Sequence, residues 1–233
     1  MAGLTEPVPG ATPLDEDDLA GMIPTWVTTR ADLDAVENDG IQRAVLWVLS
    51  SRVRYTIEAL LTATFADRLH NRMFGMVWRW AGQRRQRVTN IGVEPYQITT
   101  KLRDVLEDAA YWHTHADGGF TPVEVAARLH HRLVAVHPYP NGNGRHSRLM
   151  ADAYLHRCGL VPFGWGGLDL SAATESRARY IETLRAADAG DYAPLIKFAA
   201  APGAPSGGEP EAAARHRAEP STPPTRASDH GTP

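Results

Sequence analysis

The sequence is poor in several features that would assign it to particular classes of protein. Its one cysteine, Cys158, cannot form an internal disulfide, as expected of a protein in a reducing, cytoplasmic compartment. No apolar run approaches the roughly 18 residues that a membrane helix needs. The acidic N-terminus lacks the basic and apolar regions of a signal peptide. A formal net charge of -3 gives no general attraction to nucleic acid, so no direct nucleic-acid binding is expected.

The 233 residues, 43% of them hydrophobic, are enough for one substantial domain with appendages. Residues 1–39 form an N-terminal leader and a first helix. Residues 40–200 form the main domain. Residues 201–233 are rich in Pro, Ala and Gly and contain no large apolar side chain, so this tail is predicted to be disordered.

Apolar periodicity and capping residues predict an all-α fold. One stretch, residues 86–98, is rich in β-branched residues and contains a glycine, which predicts a short β-hairpin. The segments predicted to be helical are 28–51, 62–82, 100–116, 121–136, 145–159, 171–190 and 191–200.

The stretch HPYPNGNGRHSR, residues 137–148, joins two of these helices. A helix ends near Val136, and the next begins near Asn143 or Gly144. A glycine-containing turn that leads into a helix N-terminus directs several backbone N–H groups to one side, where the helix dipole also favours an anion. Gly142 and Gly144 allow the backbone to approach a ligand closely.

The charged residues of this stretch fit a polyphosphate better than a single carboxylate. Arg145 and Arg148 lie three residues apart, so they share a helix face and lean back over the turn. His137 lies at the near rim, and an ordinary pKa of about 6.5 suits a general base. A histidine at a helix end, a glycine turn and an arginine pair are each more often structural, so the inference depends on their joint spacing.

The stretch resembles the signature of Fic domains, His-Pro-Phe-x-Asp/Glu-Gly-Asn-Gly-Arg-x-x-Arg, and the similarity extends over most of residues 40–200. VWRWAG followed by NIGV resembles the approach to the family's flap, and RYIETLRAADAGDYAPLIKF resembles its C-terminal helices. TPLDEDDLAGMIPTWVTTRADLDAVE resembles the subgroup called mobile mystery protein B. The resemblance implies a Fic-type helical bundle with a small β-hairpin flap, in which Tyr139 packs into the core.

The resemblance implies a protein adenylyltransferase, which moves AMP from ATP to a Ser, Thr or Tyr hydroxyl of a target protein. His137 would deprotonate that hydroxyl. Ile91 and Gly92 in the flap would hold the target by strand-like pairing. Gly142, Asn143 and Gly144 would bind the α- and β-phosphates of ATP. Arg145 would bind the β-phosphate, and Arg148 would bind the γ-phosphate.

One position departs from the family pattern. Asn141 stands where the family has an acidic ligand for Mg²⁺, and a neutral amide oxygen should bind that ion more weakly. Three alternatives follow, in this order: a slower adenylyltransferase, a changed nucleotide or transferred group, and a catalytically inactive nucleotide-binding protein that regulates a partner.

The family is often inhibited by a helix with the pattern Ser/Thr-x-x-x-Glu-Gly/Asn, whose glutamate pairs with the second motif arginine. Glu37 is followed by Asn38, as the pattern requires, but Leu33 stands at the Ser/Thr position. Ser171 and Glu175 have the required spacing, but Ser176 stands where the pattern has Gly or Asn. We therefore expect self-inhibition to be absent or supplied by a separate inhibitory protein. A helix-turn-helix companion protein is a further implication of the subgroup resemblance.

Overall fold

The computed structural model describes residues 14–50, 55–115, 119–167 and 175–202, and these are mostly helical, as predicted. The predicted tail lies outside the described residues, except for Ala201 and Pro202. Short 3-10 turns occur at Pro95–Gln97 and Trp165–Gly167. The α-helices of the described part are α1 Glu16–Ala20, α2 Arg30–Val48, α3 Ile57–Leu60, α4 Ala63–Phe74, α5 Ile98–Thr114, α6 Pro122–Val136, α7 Asn143–Arg157, α8 Glu175–Asp188 and α9 Ala193–Ala200.

Helix starts are fixed locally by short polar side chains. A side-chain oxygen at the N-cap accepts a backbone N–H of the first turn in five helices, which satisfies a donor that the helix itself leaves unpaired. Helix α7 differs, because its N-cap is Gly142 in the left-handed region, with no side-chain cap. The capped helices are α1, α2, α3, α4 and α6, with the caps Asp15, Thr29, Thr56, Thr62 and Thr121.

Helix α6 is the centre of the fold, since it packs against α5, α7 and α9. Two buried histidines attach the C-terminal helices to it. His130 Nε2 lies 2.9 Å from the hydroxyl of Tyr180 on α8. His131 lies 2.8 Å from a carboxylate oxygen of Asp188 and 3.1 Å from the hydroxyl of Tyr192. The α6–α7 connection, which contains the glycine turn, therefore lies on a rigid base.

The second predicted helix, 62–82, is wrong at its C-terminal end. Helix α4 stops at Phe74, and residues 75–82 form turns. The N–H of Ile23 donates to the carbonyl of Val77 at 2.8 Å, and the N–H of Arg79 donates to Gly21 at 2.8 Å. This pairing with the segment after α1 uses the backbone groups that a longer α4 would have needed.

The predicted β-hairpin at 86–98 is not present, because these residues form a loop and then the 3-10 turn Pro95–Gln97. Its backbone groups bond elsewhere. The N–H of Val93 donates to the carbonyl of Val136 at 3.3 Å. The carbonyls of Arg87 and Val93 both accept from the side chain of Arg85. A guanidinium thus joins the two arms of this segment, which we call the flap loop, where strand pairing was expected.

Among the residues that the structure describes, no helix is both long enough and apolar enough to span a bilayer.

A partly buried carboxylate joins α7 to the segment that follows it. Asp152 accepts hydrogen bonds from the N–H of Phe163 and the indole N–H of Trp165, each at 3.1 Å. Burial nevertheless raises the pKa of Asp152 to about 7. The folded protein therefore holds this proton more tightly than the unfolded chain does, and the resulting stability is lost as pH rises from about 4 through about 7.

We predict that Asp152→Asn stabilises the protein at pH 8 by up to about 4 kcal/mol, because one pKa unit corresponds to about 1.4 kcal/mol. At pH 4 the change should have little effect, because Asp152 is then neutral. Urea unfolding of both proteins at the two pH values measures this difference. The control is Asp39→Asn, at an exposed carboxylate of α2. A variant less stable than the parent at pH 8 would contradict the prediction.

Candidate functional site

The turn between α6 and α7 is shaped by the side chain of Asn143. Its Oδ1 accepts the N–H of Tyr139 at 2.9 Å, and its Nδ2 donates to the carbonyl of Tyr139 at 2.8 Å. Asn143 is buried, so both bonds are protected from water. Its side chain is thus used inside the turn, whereas the sequence comparison assigned it to phosphate, and that assignment stays a prediction.

A second set of bonds attaches the turn to α4. The N–H of Gly82 donates to Nδ1 of His70 at 2.9 Å, so the proton of this ring lies on Nε2. That Nε2–H donates to the carbonyl of Asn141 at 3.0 Å. Tyr139 is fully buried, as expected, and its hydroxyl donates to Asp67 at 3.0 Å. The turn is therefore held from α4 as well as from within.

Gly142 is a position that only glycine can fill. Its φ is +77°, and a Cβ atom there would lie 2.5 Å from the ring of Phe74. Nothing lies within 4 Å of the position that a Cβ of Gly144 would take. The start of α7 therefore has one face pressed against Phe74 and another with room for a ligand, at a helix end that no side chain caps.

His137 ends α6 in the left-handed region, with φ of 53°, and is 6% exposed. Its Nδ1 lies 3.3 Å from the carbonyl of Val134, which can only accept, so Nδ1 carries the proton and Nε2 keeps its lone pair. Burial lowers the pKa of His137 to about 4; the Val134 carbonyl opposes this shift and the charge of Arg85 adds to it. The ring is neutral at pH 7 and can accept a proton.

Arg148 is a buried cation whose Nη1 has no hydrogen-bond partner. Within the described ranges it makes no ion pair, and the ring of Tyr180 lies 5.9 Å from its Cζ. Burial lowers the pKa of Arg148; the charges of Tyr180 and Asp152 oppose this shift, and those of Arg145 and Arg177 add to it. A buried cation with an unsatisfied donor is costly, so this guanidinium is a candidate partner for an anion.

Arg145 is paired with a carboxylate of the same chain. Its Nη1 donates to Oε2 of Glu37 at 2.6 Å, and the other oxygen, Oε1, accepts the indole N–H of Trp78 at 2.6 Å. Glu37 is 4% exposed. A pairing of Glu37 with Arg148 would contradict the expected absence of self-inhibition, but Glu37 pairs with Arg145 instead. However, a carboxylate does lie in the site, although the Ser/Thr position of the inhibitory pattern is Leu33.

Asn141 is a poor ligand for a metal ion in this conformation. Its Oδ1, the expected metal ligand, accepts a hydrogen bond from the N–H of Gly142 at 2.6 Å. That N–H is in turn one of the expected phosphate donors, so this bond engages both groups. In the described part of the chain, no group of three or more His, Cys, Asp or Glu side chains could hold a metal ion. The side chains present do not fit a Mg²⁺ ion held by the protein alone.

Of the two predicted flap residues, Gly92 lies beside His137. Ile91 is 38% exposed, and a Cβ on Gly92 would lie 2.6 Å from Cβ of His137. Sequence reasoning missed Arg85, which is buried next to them, and Arg177, whose charge acts on both motif arginines. Arg85 belongs to a basic run that reads as an exposed loop, and nothing in the sequence marks it as buried.

Comparisons with known proteins find similarity over the part of the chain that contains this site. The model of the Fic/DOC family matches residues 60–155. Protein adenylyltransferase fic-1 of Caenorhabditis elegans is 31% identical over 108 residues, which are 46% of this chain and 19% of that protein. Protein adenylyltransferase Fic of Nematostella vectensis is 39% identical over 79 residues, 34% of this chain and 17% of that protein. The chain thus spans less than a fifth of the length of these two curated relatives.

Among solved structures, Fic-1 from C. elegans superposes with a TM-score of 0.55 at 26% identity. The superposition covers 76% of this chain and 50% of that one.

We predict that Glu37→Gln tightens the binding of tripolyphosphate, because it frees Arg145 while leaving an oxygen for the indole of Trp78. We expect about a three- to tenfold lower Kd, since a tenfold change corresponds to about 1.4 kcal/mol. Isothermal titration calorimetry measures it. Asp39→Asn, which neutralises an exposed carboxylate of the same helix, is the control. Equal affinity of parent and Glu37→Gln would show that the ion pair does not compete with the anion.

Proposed function

Because this chain belongs to the Fic/DOC family, we propose that it is a protein adenylyltransferase, which transfers AMP from ATP to a hydroxyl side chain of a target protein. Its curated relatives carry that name, and they are matched over a small part of their length.

One observation carries the proposal: a neutral histidine and a buried guanidinium with one unpartnered nitrogen lie on the two sides of one glycine turn. His137 ends α6, and Arg148 lies in the second turn of α7. A binding site for phosphate alone would need the arginine and the helix end. A ring kept neutral by burial is what a general base near pH 7 also requires.

The reaction assigns one task to each group. Nε2 of His137 takes the proton of the target hydroxyl as its oxygen forms a bond to the α-phosphorus of ATP. The bond from that phosphorus to the oxygen shared with the β-phosphate breaks, and pyrophosphate leaves. Arg145 would bind the β-phosphate and Arg148 the γ-phosphate. The N–H of Gly144, and that of Gly142 once Asn141 has turned away from it, would face the α- and β-phosphates. Orientation and charge neutralisation then supply most of the rate.

A Mg²⁺ ion would enter this site together with the phosphates of the nucleotide. Asn141 offers it a neutral oxygen only, after turning away from the N–H of Gly142. When bound, the ion would supply positive charge next to the leaving pyrophosphate. Asn141 therefore favours a slow enzyme over a fast one. It is also the feature that supports the alternative function, a nucleotide-binding protein without catalytic activity.

The test is transfer of label from α-³²P-ATP to proteins of a cell lysate and to the chain itself, with GTP, CTP and UTP in parallel. We expect labelling with ATP that His137→Ala lowers by about 100- to 10,000-fold, the usual contribution of general base catalysis. We expect Asn141→Asp to raise the rate several-fold at low Mg²⁺ concentration, because it restores a charged ligand.

Absence of label with every nucleotide, together with intact ATP binding and a silent Asn141→Asp, would favour the second function. The chain would then be a nucleotide-binding regulatory protein. Label from another nucleotide that still depends on His137 would keep the transfer and change the donor.

The Glu37–Arg145 ion pair bears on how the reaction is restrained. The carboxylate and the β-phosphate need the same guanidinium, so they exclude one another at Arg145. If Glu37→Gln raises transfer as well as phosphate affinity, the chain restrains itself. If Glu37→Gln raises neither the transfer rate nor the phosphate affinity, the reaction would be inhibited by a separate protein.

A further inference from the structure

Arg85 lies immediately before the flap loop, and its guanidinium donates to main-chain carbonyls in two different segments. Nε donates to the carbonyl of His137 at 2.7 Å, and Nη1 donates to that of Arg87 at 2.7 Å. Nη2 donates to the carbonyl of Val93 and, at 3.5 Å, lies near that of Val136. Arg85 is only 2% exposed, so these bonds form away from water.

The two acceptors on the α6 side have a special relation to His137. The carbonyl of Val136 belongs to the peptide group before His137, and the carbonyl of His137 belongs to the peptide group after it. Fixing both groups fixes φ and ψ of the residue between them. His137 has a left-handed φ of 53°, which costs energy for a residue with a side chain and needs support from its surroundings.

Main-chain bonds and close packing reinforce this link. The N–H of Arg85 donates to the carbonyl of Pro138 at 2.9 Å. A Cβ on Gly92 would lie 2.6 Å from Nη2 of Arg85 and 2.6 Å from Cβ of His137. Glycine at 92 is therefore what allows the flap loop to close on the guanidinium and on the histidine together.

We propose that Arg85 is a positioning residue for the transfer reaction, which holds the ring of His137 in place by binding the peptide groups on both sides of it and tying the flap loop to them. This proposal rests on the function proposed above. A guanidinium suits the task because its planar fork carries five N–H donors and no acceptor, so one side chain can serve carbonyls on two segments.

The charge of Arg85 also acts on His137. Burial is the main cause of the low pKa of His137, and Arg85 contributes by its charge and by keeping the flap loop closed over the ring. On α6 the ring meets the uncharged carbonyl of Val134. The carboxylate of Glu94, on the flap loop, acts on Arg85. On α7, Arg145 is paired with Glu37.

The test compares Arg85→Met, Arg85→Lys and Gly92→Ala with the parent protein. The control is Arg84→Gln, since the guanidinium of the neighbouring Arg84 donates to side chains, those of Asp67 and Thr99. The first readout is an NMR pH titration of the histidine Cε1–H groups, with the His137 signal assigned from His137→Gln. The second is the pH dependence of kcat and of KM for ATP. Circular dichroism verifies that each variant is folded.

For Arg85→Met we expect the pKa of His137 to rise from about 4 towards its ordinary 6.5, and the acid limb of kcat to move up with it. We expect kcat to fall about 10- to 100-fold with little change in KM for ATP, because displacing a catalytic group costs rate while Arg145 and Arg148 are untouched. Arg85→Lys should keep the pKa of His137 low without restoring kcat, since an ammonium cannot bind both flanking peptide groups. Gly92→Ala should shift both readouts in the same direction as Arg85→Met.

The proposal is overturned if Arg85→Met leaves the titration of His137 and the pH profile unmoved, or if Arg84→Gln has the same effects. If Arg85→Met does not fold, Arg85→Lys and Gly92→Ala decide the matter. If the parent protein transfers no label, the function proposed above fails, and the NMR titration still decides whether Arg85 controls the ring.

Discussion

The candidate site depends on one backbone constraint: the turn from α6 to α7 passes through the left-handed region at both ends, at His137 and at Gly142. The first directs an imidazole to the rim of the turn, and the second opens the N-terminus of α7 without a side-chain cap. A turn with such geometry is unstable unless its surroundings enforce it. Here Asn143 enforces it from within, His70 from α4, and Arg85 from the position just before the flap loop.

The site collects positive charge on three arginines, of which Arg85 and Arg148 are buried and Arg145 is partly exposed. Arg148 lacks a partner for one of its nitrogens, Arg145 has a single carboxylate, and Arg85 has carbonyls only. The three guanidinium groups therefore differ in how far their hydrogen-bonding capacity and charge are satisfied. The same burial that makes these cations costly keeps His137 neutral, so the phosphate donors and the base arise from one property of the site.

Local signals in the sequence predicted most of the fold but not its long-range bonds. The Thr-Pro entry at Thr121 and the apolar period gave α6 almost to the residue, and the glycine turn placed the start of α7. The end of α4 at Phe74 was missed because residues 77 to 79 pair with a segment some 55 positions earlier. The flap loop was predicted to be a hairpin because it is rich in β-branched residues and contains a glycine, whereas the guanidinium of Arg85 binds two of its carbonyls. Residue spacing does not predict the ion pair of Glu37 with Arg145 or the hydrogen bond from Arg85 to the carbonyl of His137.

The carboxylate of Glu37 connects the site to an aromatic pair. One of its oxygens binds Arg145, and the other binds the indole N–H of Trp78, whose ring stacks on Trp80 at a centroid distance of 5.0 Å. If an anion takes Arg145, the carboxylate is still held by the indole, so α2 can stay where it is while the charge beside Trp78 is redistributed. Trp78 is thus an intrinsic fluorophore connected to the anion site through Glu37. Its emission would report the binding of an anion at Arg145 without any added label.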